Sequence, residues 1–373
     1  MKHKFIYISA FILILFILPF TASAQSPEAT LTIDGVLFDT FPSVQEAVDA
    51  VTANPGTNFI IEVAAGTVSD PLNITQQPNK NVVLKPQTGA SVTFTNTITI
   101  DGNGNLASPE TLLIQGFIFD FTSDTSPDEC IYFNLIPPRV GFCYPHNITI
   151  NGCTFRGIFD KTVAVQSIPG GSRNIAIMNS TATDMHSLAQ LKAVSGYAFI
   201  QNCVVNNADG GVNFYGTGNL IVDSCNFNVV GYAVRSGQSA GAIQNVGSVS
   251  VNNSILNSNS ASVATIVLRG DSTSNINIIH SNLTNANATG SVIENLNGAS
   301  VDLYNIDIVE SNITGPITNI NPTTIKTIDD PNVENGPINI TNGSNSVLIA
   351  VIVVLSILLI ILLLAFLIFI SLS

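Results

Sequence analysis

From residue 148 onward the chain returns to one eight-position phrase of apolar and polar residues. Its copies begin at Ile148, Ile175, Ala198, Leu220, Val249, Ile276 and Val301. Ile148-Thr149-Ile150-Asn151-Gly152-Cys153-Thr154-Phe155 is the first of them. The third-place residues Ile150, Ile177, Ile200, Val222, Val251, Ile278 and Leu303 follow one another at 27, 23, 22, 29, 27 and 25 residues. Alternation of apolar and polar positions marks a strand with one face buried. Within each phrase the alternation slips: places one and three are apolar, then six and eight, so place five must bend the chain. Gly152, Asn179, Asn202, Ser224, Asn253, His280 and Asn305 hold that place. Glycine and asparagine tolerate the left-handed backbone that a one-residue bend requires. Successive asparagine amides at strand spacing can also hydrogen-bond to one another.

A period near 25 residues implies a solenoid, each period being one coil that buries its apolar face against the next. Ala189–Leu191, Val212–Phe214, Thr265–Leu268 and Ser291–Ile293 supply further apolar stretches, giving three short strands per coil. Leu112–Phe119, with Gly116 at the bend, is an earlier copy, and Val82–Leu84 and Ile98–Ile100 resemble others. The spacing from Ile114 to Ile150 exceeds one coil, so residues 120–146, with Cys130, Cys143 and Pro137-Pro138, read as a protruding loop. An exported chain oxidises cysteines that can meet, and Cys130 with Cys143 would close that loop. Cys153, Cys203 and Cys225 fall at place six, where small residues dominate; Cys153 is expected to stay free, and Cys203 and Cys225, on neighbouring coils, to touch without necessarily bonding.

A solenoid needs a cap over its open end. Ser43 precedes Val44, Ala47, Val48 and Val51 at helical spacing, with Glu46 three residues on, which predicts a capping helix over about 43–53. This Ser-Val-Gln-Glu-Ala-Val helix, the following Phe59–Val63 strand and the Ala65-Gly66-Thr67 turn resemble the start of the pectin-lyase-like superfamily. With the coil phrases, the resemblance spans roughly residues 30–320. It implies an all-β fold, a right-handed, three-faced parallel β-helix, and specifies no activity, because one fold hosts many functions. Members include pectate lyases, pectin methylesterases, polygalacturonases, phage tailspikes and surface proteins with no assigned reaction.

The ends place this solenoid outside a cell. Residues 1–24 run from Lys2 and Lys4 through an apolar stretch to Ala22-Ser23-Ala24, the order of a cleavable signal peptide. Residues 347–370 are apolar apart from Ser356, long enough for a transmembrane helix, followed by a tail of 371–373. No Lys or Arg follows that span, and Asn342-Gly343-Ser344 precedes it, so a lipid-anchor signal is the alternative. The length favours a single-pass, type I span with residues 25–320 as ectodomain and 321–346 as a glycosylated linker. Sequons at Asn73, Asn147, Asn179, Asn252, Asn282, Asn287, Asn312, Asn339 and Asn342 fit an exported glycoprotein. A net charge of −13 with only 12 basic residues argues against nucleic acid as a partner and against electrostatic capture of acidic polymers, since both need a basic footprint.

Enzymes on this fold present acids and bases outward on adjacent coils. Asp160, Asp184 and Asp209 are 24 and 25 residues apart, and His186 lies near, so Asp184, Asp209 and His186 are the candidate catalytic residues. Aspartate is also expected in such turns for backbone reasons, and these fall at different offsets from the phrase. Gly-His-Gly, Arg-Ile-Lys and Asn-Thr-Asp motifs are missing, as is the three-aspartate calcium site of pectate lyases. His146 and His280 show no metal-ligand spacing, Arg235 and Arg269 occupy unequal registers, and no cofactor or metal is expected. Two functions fit: a non-catalytic surface module for adhesion, recognition or coat structure, binding extracellular glycans or other surface proteins, or a membrane-tethered polysaccharide-active enzyme.

Overall fold

In the computed structural model the described residues are 26–102, 110–134, 146–167, 172–215, 218–236, 247–269, 274–295, 304–320, 322–328 and 339–341. The expected signal-peptide and transmembrane segments, Cys143 and Asn342 lie outside them, and no described helix is long and apolar enough to cross a membrane.

The third-place residues form one continuous parallel ladder. Ile61 pairs with Leu84, Leu84 with Ile114, and Ile114 with Ile150. It runs on through Ile177, Ile200, Val222, Val251 and Ile278. Side chains at this place are fully buried, so the ladder fills the bore. A second sheet stacks Phe94, Phe119 and Phe155, whose rings lie 5.4 and 4.8 Å apart and nearly parallel. The third sheet runs Val165, Ala189, Val212, Val234, Ile266, Ile293 and Ile317. The molecule is therefore a three-faced parallel β-helix.

Place five bends as its residue types require: φ is positive at Gly116, Gly152, Asn179, Asn202, Ser224, Asn253 and His280, between 49° and 77°. The Asn202 amide donates to Asn179 Oδ1 (3.1 Å), and that of Asn179 to Asn151 Oδ1 (2.7 Å). Place six explains its own composition. The buried N–H groups of Cys153, Cys225, Ser254 and Ser281 each donate to a serine hydroxyl one coil on: Ser180, Ser254, Ser281 and Ser311, at 3.0–3.2 Å. Each hydroxyl then donates to the carbonyl two residues before it, at 2.7–2.8 Å. Cys203 and Cys225 thiols make the same contact at 3.3 Å, and both are free, as is Cys153. Burial pushes the Cys153 thiol up to about 11.

Three sequence expectations change. The last phrase is five residues later than read: Ile276 and Ile278 pair with Ile306 and Ile308, and Glu310, at φ 45°, takes the bend in place of Asn305. Ile98–Ile100 belongs to the third sheet, not to a copy of the phrase, because it pairs with Leu72–Ile74 and Ile131–Phe133. The expected loop of 120–146 contains a strand, Glu129–Asn134, in register with the coils before and after it. Cys130 therefore faces the interior, fully buried with a free thiol, and Cys143, its expected partner, lies outside the described residues.

At the N-terminal end, α1 (Val44–Ala53) covers the bore with Val44, Ala47, Val48 and Val51, as their spacing predicts. Ser43 accepts from the Glu46 N–H at 3.3 Å and its hydroxyl donates to the Glu46 carboxylate at 3.1 Å. The other end of α1 is held by Lys80, whose ammonium donates to the carbonyls of Val51 (2.5 Å), Asn54 (2.9 Å) and Thr52 (3.4 Å). A cation there satisfies terminal carbonyls and complements the helix dipole. A hairpin, Ala29–Ile33 and Val36–Phe41, turns on Asp34-Gly35 and forms the outermost strands of the first sheet.

Candidate functional site

The outward residues of the third sheet carry the chemistry. Register puts Gln190 beside Asn213 and Asn213 beside Arg235, while Ser187 faces Gly210 and Gly210 faces Tyr232. The residues before Ser187 and Gly210 are His186 and Asp209, which neighbour each other on adjacent coils. His186 Nδ1 lies 3.6 Å from Asp209 Oδ2. One coil earlier, Asp160 brings a carboxylate oxygen within 4.8 Å of both.

Of the three candidates read from sequence, His186 and Asp209 come together, and Asp184 stands apart. Asp184 is exposed at a left-handed bend (φ 56°) and accepts from the amide of Asn207, which bends the next coil in the same way (φ 51°). Its role there is to shape the corner, so the stacked three-aspartate arrangement does not form.

Further along the same sheet lies a group that sequence reasoning dispersed. The Arg235 guanidinium sits 3.8 Å over the ring of Tyr232. Arg269 lies close enough that Arg235, after burial, holds its pKa down. Tyr215 is beside both arginines, and its hydroxyl accepts from the Asn213 amide at 2.6 Å. Burial raises Tyr215 and pushes Tyr232 up to about 12, so both phenols stay neutral hydrogen-bonding groups at ordinary pH. Tyr232 is 1% exposed and Asn213 4%, yet Tyr232 OH, Asn213 Oδ1 and Arg235 Nε have no hydrogen-bond partner. His186 Nδ1 is likewise screened and unpaired. Buried polar atoms are ordinarily satisfied, so four such orphans on neighbouring coils of one face mark a place suited to an added ligand, water or ion. Among the described residues neither arginine is ion-paired.

Burial also disfavours charge on Glu294, raising its pKa although Arg269 is near. Elsewhere, the cleft between α1 and the first coils, lined by Val48, Val51, Ile61, Ile74 and Leu112, is mostly apolar. His280 faces Glu310 at 3.4 Å, at the bend it was expected to occupy. Sequon residues Asn73, Asn282 and Asn312 are exposed, the last two side by side on adjacent coils, whereas Asn147 is held by its bond to the Glu110 carbonyl.

No family model matches the chain, and no characterised protein matches it by sequence. Among solved structures it is similar to the Streptococcus pneumoniae surface protein and adhesin PfbA, at 13% identity over 80% of this chain and 91% of that one, with a TM-score of 0.43. It is also similar to the A-module of the Azotobacter vinelandii mannuronan C-5 epimerase AlgE4, at 15% identity, 80% and 90% coverage and a TM-score of 0.40. A third is the tailspike protein of E. coli bacteriophage HK620, solved with a pentasaccharide, at 14% identity, 80% and 74% coverage and a TM-score of 0.36. The class of this chain, the parallel β-helix, rests on the register of its own strands.

Proposed function

We propose that this is a membrane-anchored, glycosylated cell-surface β-helix protein that recognises extracellular acidic carbohydrate on its third sheet and catalyses no reaction. The observation that supports this reading is the Tyr232, Arg235, Arg269, Tyr215 and Asn213 cluster. Two unpaired guanidiniums offer forked donors to carboxylate or sulfate. The neutral, partly exposed Tyr215 offers a hydrogen-bonding hydroxyl to sugar hydroxyls. The chain's overall negative charge opposes long-range capture of acidic polymers, so a local pair would act at contact distance. The apolar end segments supply export and anchoring as expected from sequence.

The test is a glycan array probed with the full chain in detergent micelles. Binding should favour acidic glycans over neutral ones, and Arg235→Gln with Arg269→Gln should weaken it at least tenfold. Equal binding by that double variant would sink the reading.

A second reading, a polysaccharide-active enzyme, is favoured by one observation: His186 and Asp209 adjoin as an acid–base pair would. Polygalacturonate incubated with the protein should nonetheless release neither reducing ends nor unsaturated products. Release abolished by Asp209→Asn would establish the enzyme instead.

A further inference from the structure

We propose that Asp160, His186 and Asp209 form a binding site for a divalent cation of the zinc class. The three residues come from three successive coils, and the coil backbone fixes their stacking. The His186 N–H donates to the Thr162 carbonyl (2.8 Å), Asp209 N–H to that of Met185 (3.1 Å), and Gly210 N–H to that of His186 (2.8 Å). One imidazole nitrogen and two carboxylate oxygens then lie within 4.8 Å of one another.

Four features favour a metal over a network closed on itself. His186 Nδ1 is screened from solvent and has no hydrogen-bond partner, and its 3.6 Å separation from Asp209 is too long to be one. Among the described residues the carboxylates have no lysine or arginine to share: Lys161, next to Asp160, is turned to Asp128 (3.4 Å) and to the carbonyls of Ser126 (2.8 Å) and Asp124 (3.2 Å). On the following coil Gly231 leaves the space that Asp209 occupies, since a Cβ there would stand 2.8 Å from Asp209 Oδ1 and 2.5 Å from its carbonyl oxygen. Beside it, the buried and unpartnered Tyr232 hydroxyl would stand 2.8 Å from a Cβ on Gly210, the residue that follows Asp209.

The donor set selects the ion. Calcium and magnesium take oxygen ligands, whereas one imidazole with carboxylates suits zinc and its first-row neighbours. Tetrahedral zinc with bonds of about 2.0–2.1 Å sets its ligand atoms roughly 3.4 Å apart, so a small rotation, easiest for the exposed Asp160, closes the present arrangement. Three protein ligands leave a position open for water.

The experiment is calorimetric titration of Zn2+ into the full, untagged chain in detergent after dialysis against a chelator. One Zn2+ should bind per chain with micromolar affinity, and excess Ca2+ should not displace it. His186→Gln and Asp209→Asn should each weaken binding at least tenfold, while His280→Gln, at the remote Glu310 contact, should leave it unchanged. Zinc should also raise the melting temperature of the wild type and not of His186→Gln. Lack of saturable binding, displacement by Ca2+, or wild-type affinity in His186→Gln overturns the assignment. Should His186→Gln not fold, Asp160→Asn carries the same expectation, and unaltered affinity there overturns it too.

Discussion

At Ser281 a single side-chain oxygen decides what a substitution costs. The N–H of Ser254 is buried and its acceptor is Ser281 Oγ, so Ser281→Ala leaves that donor unpaired, while the Ile279 carbonyl keeps its bond from the Asn253 N–H. An orphaned buried donor costs about 1–3 kcal/mol. Urea denaturation should show a loss of that size for Ser281→Ala and a smaller one for Ser281→Cys, because cysteine already serves at this place in Cys203 and Cys225. The small residues at place six were legible in the sequence, but the hydrogen-bond ladder was not. Alternation reports only which way a side chain points, and the need for an acceptor arises from the neighbouring coil. The bends at Asn179, Asn202 and Asn253 were legible, because a positive φ is a local property that residue type reveals, whereas Asn305 was misplaced along with its phrase. His186 and Asp209 were half legible. Both lie six residues after place six, at Ser180 and Cys203, so offsets taken from the phrase would have paired them, and would have matched Asp184 with Asn207 four residues after it.

Elements made of local contacts were read correctly, while some that depend on partners were not. α1 declares itself through its cap and its apolar stripe. Glu129–Asn134 does not, since a six-residue strand beside a long insertion has only its register with Ile98–Asp101 and Val163–Gln166 to define it. The last phrase was misplaced for a related reason: Val301–Leu303 and Ile306–Ile308 alternate alike, and only pairing with Ile276–Ile278 distinguishes them. Arg235 and Arg269 share an outer face because Arg235 pairs with Val267, two residues before Arg269, across a turn whose length the repeat does not fix. Lys80 is likewise invisible in the helix it caps. Lys80→Met keeps an unbranched apolar side chain but removes the ammonium that stands 5.1 Å from the Phe59 ring centroid and donates to three carbonyls of the helix end. Hydrogen bonds to a charged donor contribute about 1.5–3 kcal/mol, so amide exchange in α1 should quicken by at least tenfold while the coils beyond residue 110 exchange as before. Equal exchange in α1 would mean that apolar burial alone holds the cap.

Along the whole molecule, each coil touches only its neighbours, so stability is a local quantity summed over interfaces. The bore is not filled evenly. Phe59, Phe94, Phe117, Phe119, Phe121, Phe133 and Phe155 are fully buried in the first half, with Phe94 packed against both Phe117 and Phe119. Beyond Phe227 the interior is built from Val251, Leu256, Ile266, Ile278, Leu283, Ile306 and Ile313 with the place-six serines. An aromatic ring buries more surface than an aliphatic side chain and adds about 0.5–1.5 kcal/mol for each stacked pair. Coil interfaces before residue 160 should therefore be stronger than those after 247, while the N-terminal end also has α1 to cover it. Native-state hydrogen exchange followed by mass spectrometry should show opening free energy falling along the chain, with strands 249–252, 276–279 and 306–309 losing protection first. Phe119→Ala, which removes the middle ring of the stack, should cost about 3–5 kcal/mol and lower protection in strands 92–94 and 154–156, leaving 276–279 unchanged. A uniform loss over all coils would show that the solenoid unfolds as one cooperative unit, and that its neighbour-only architecture does not govern its stability.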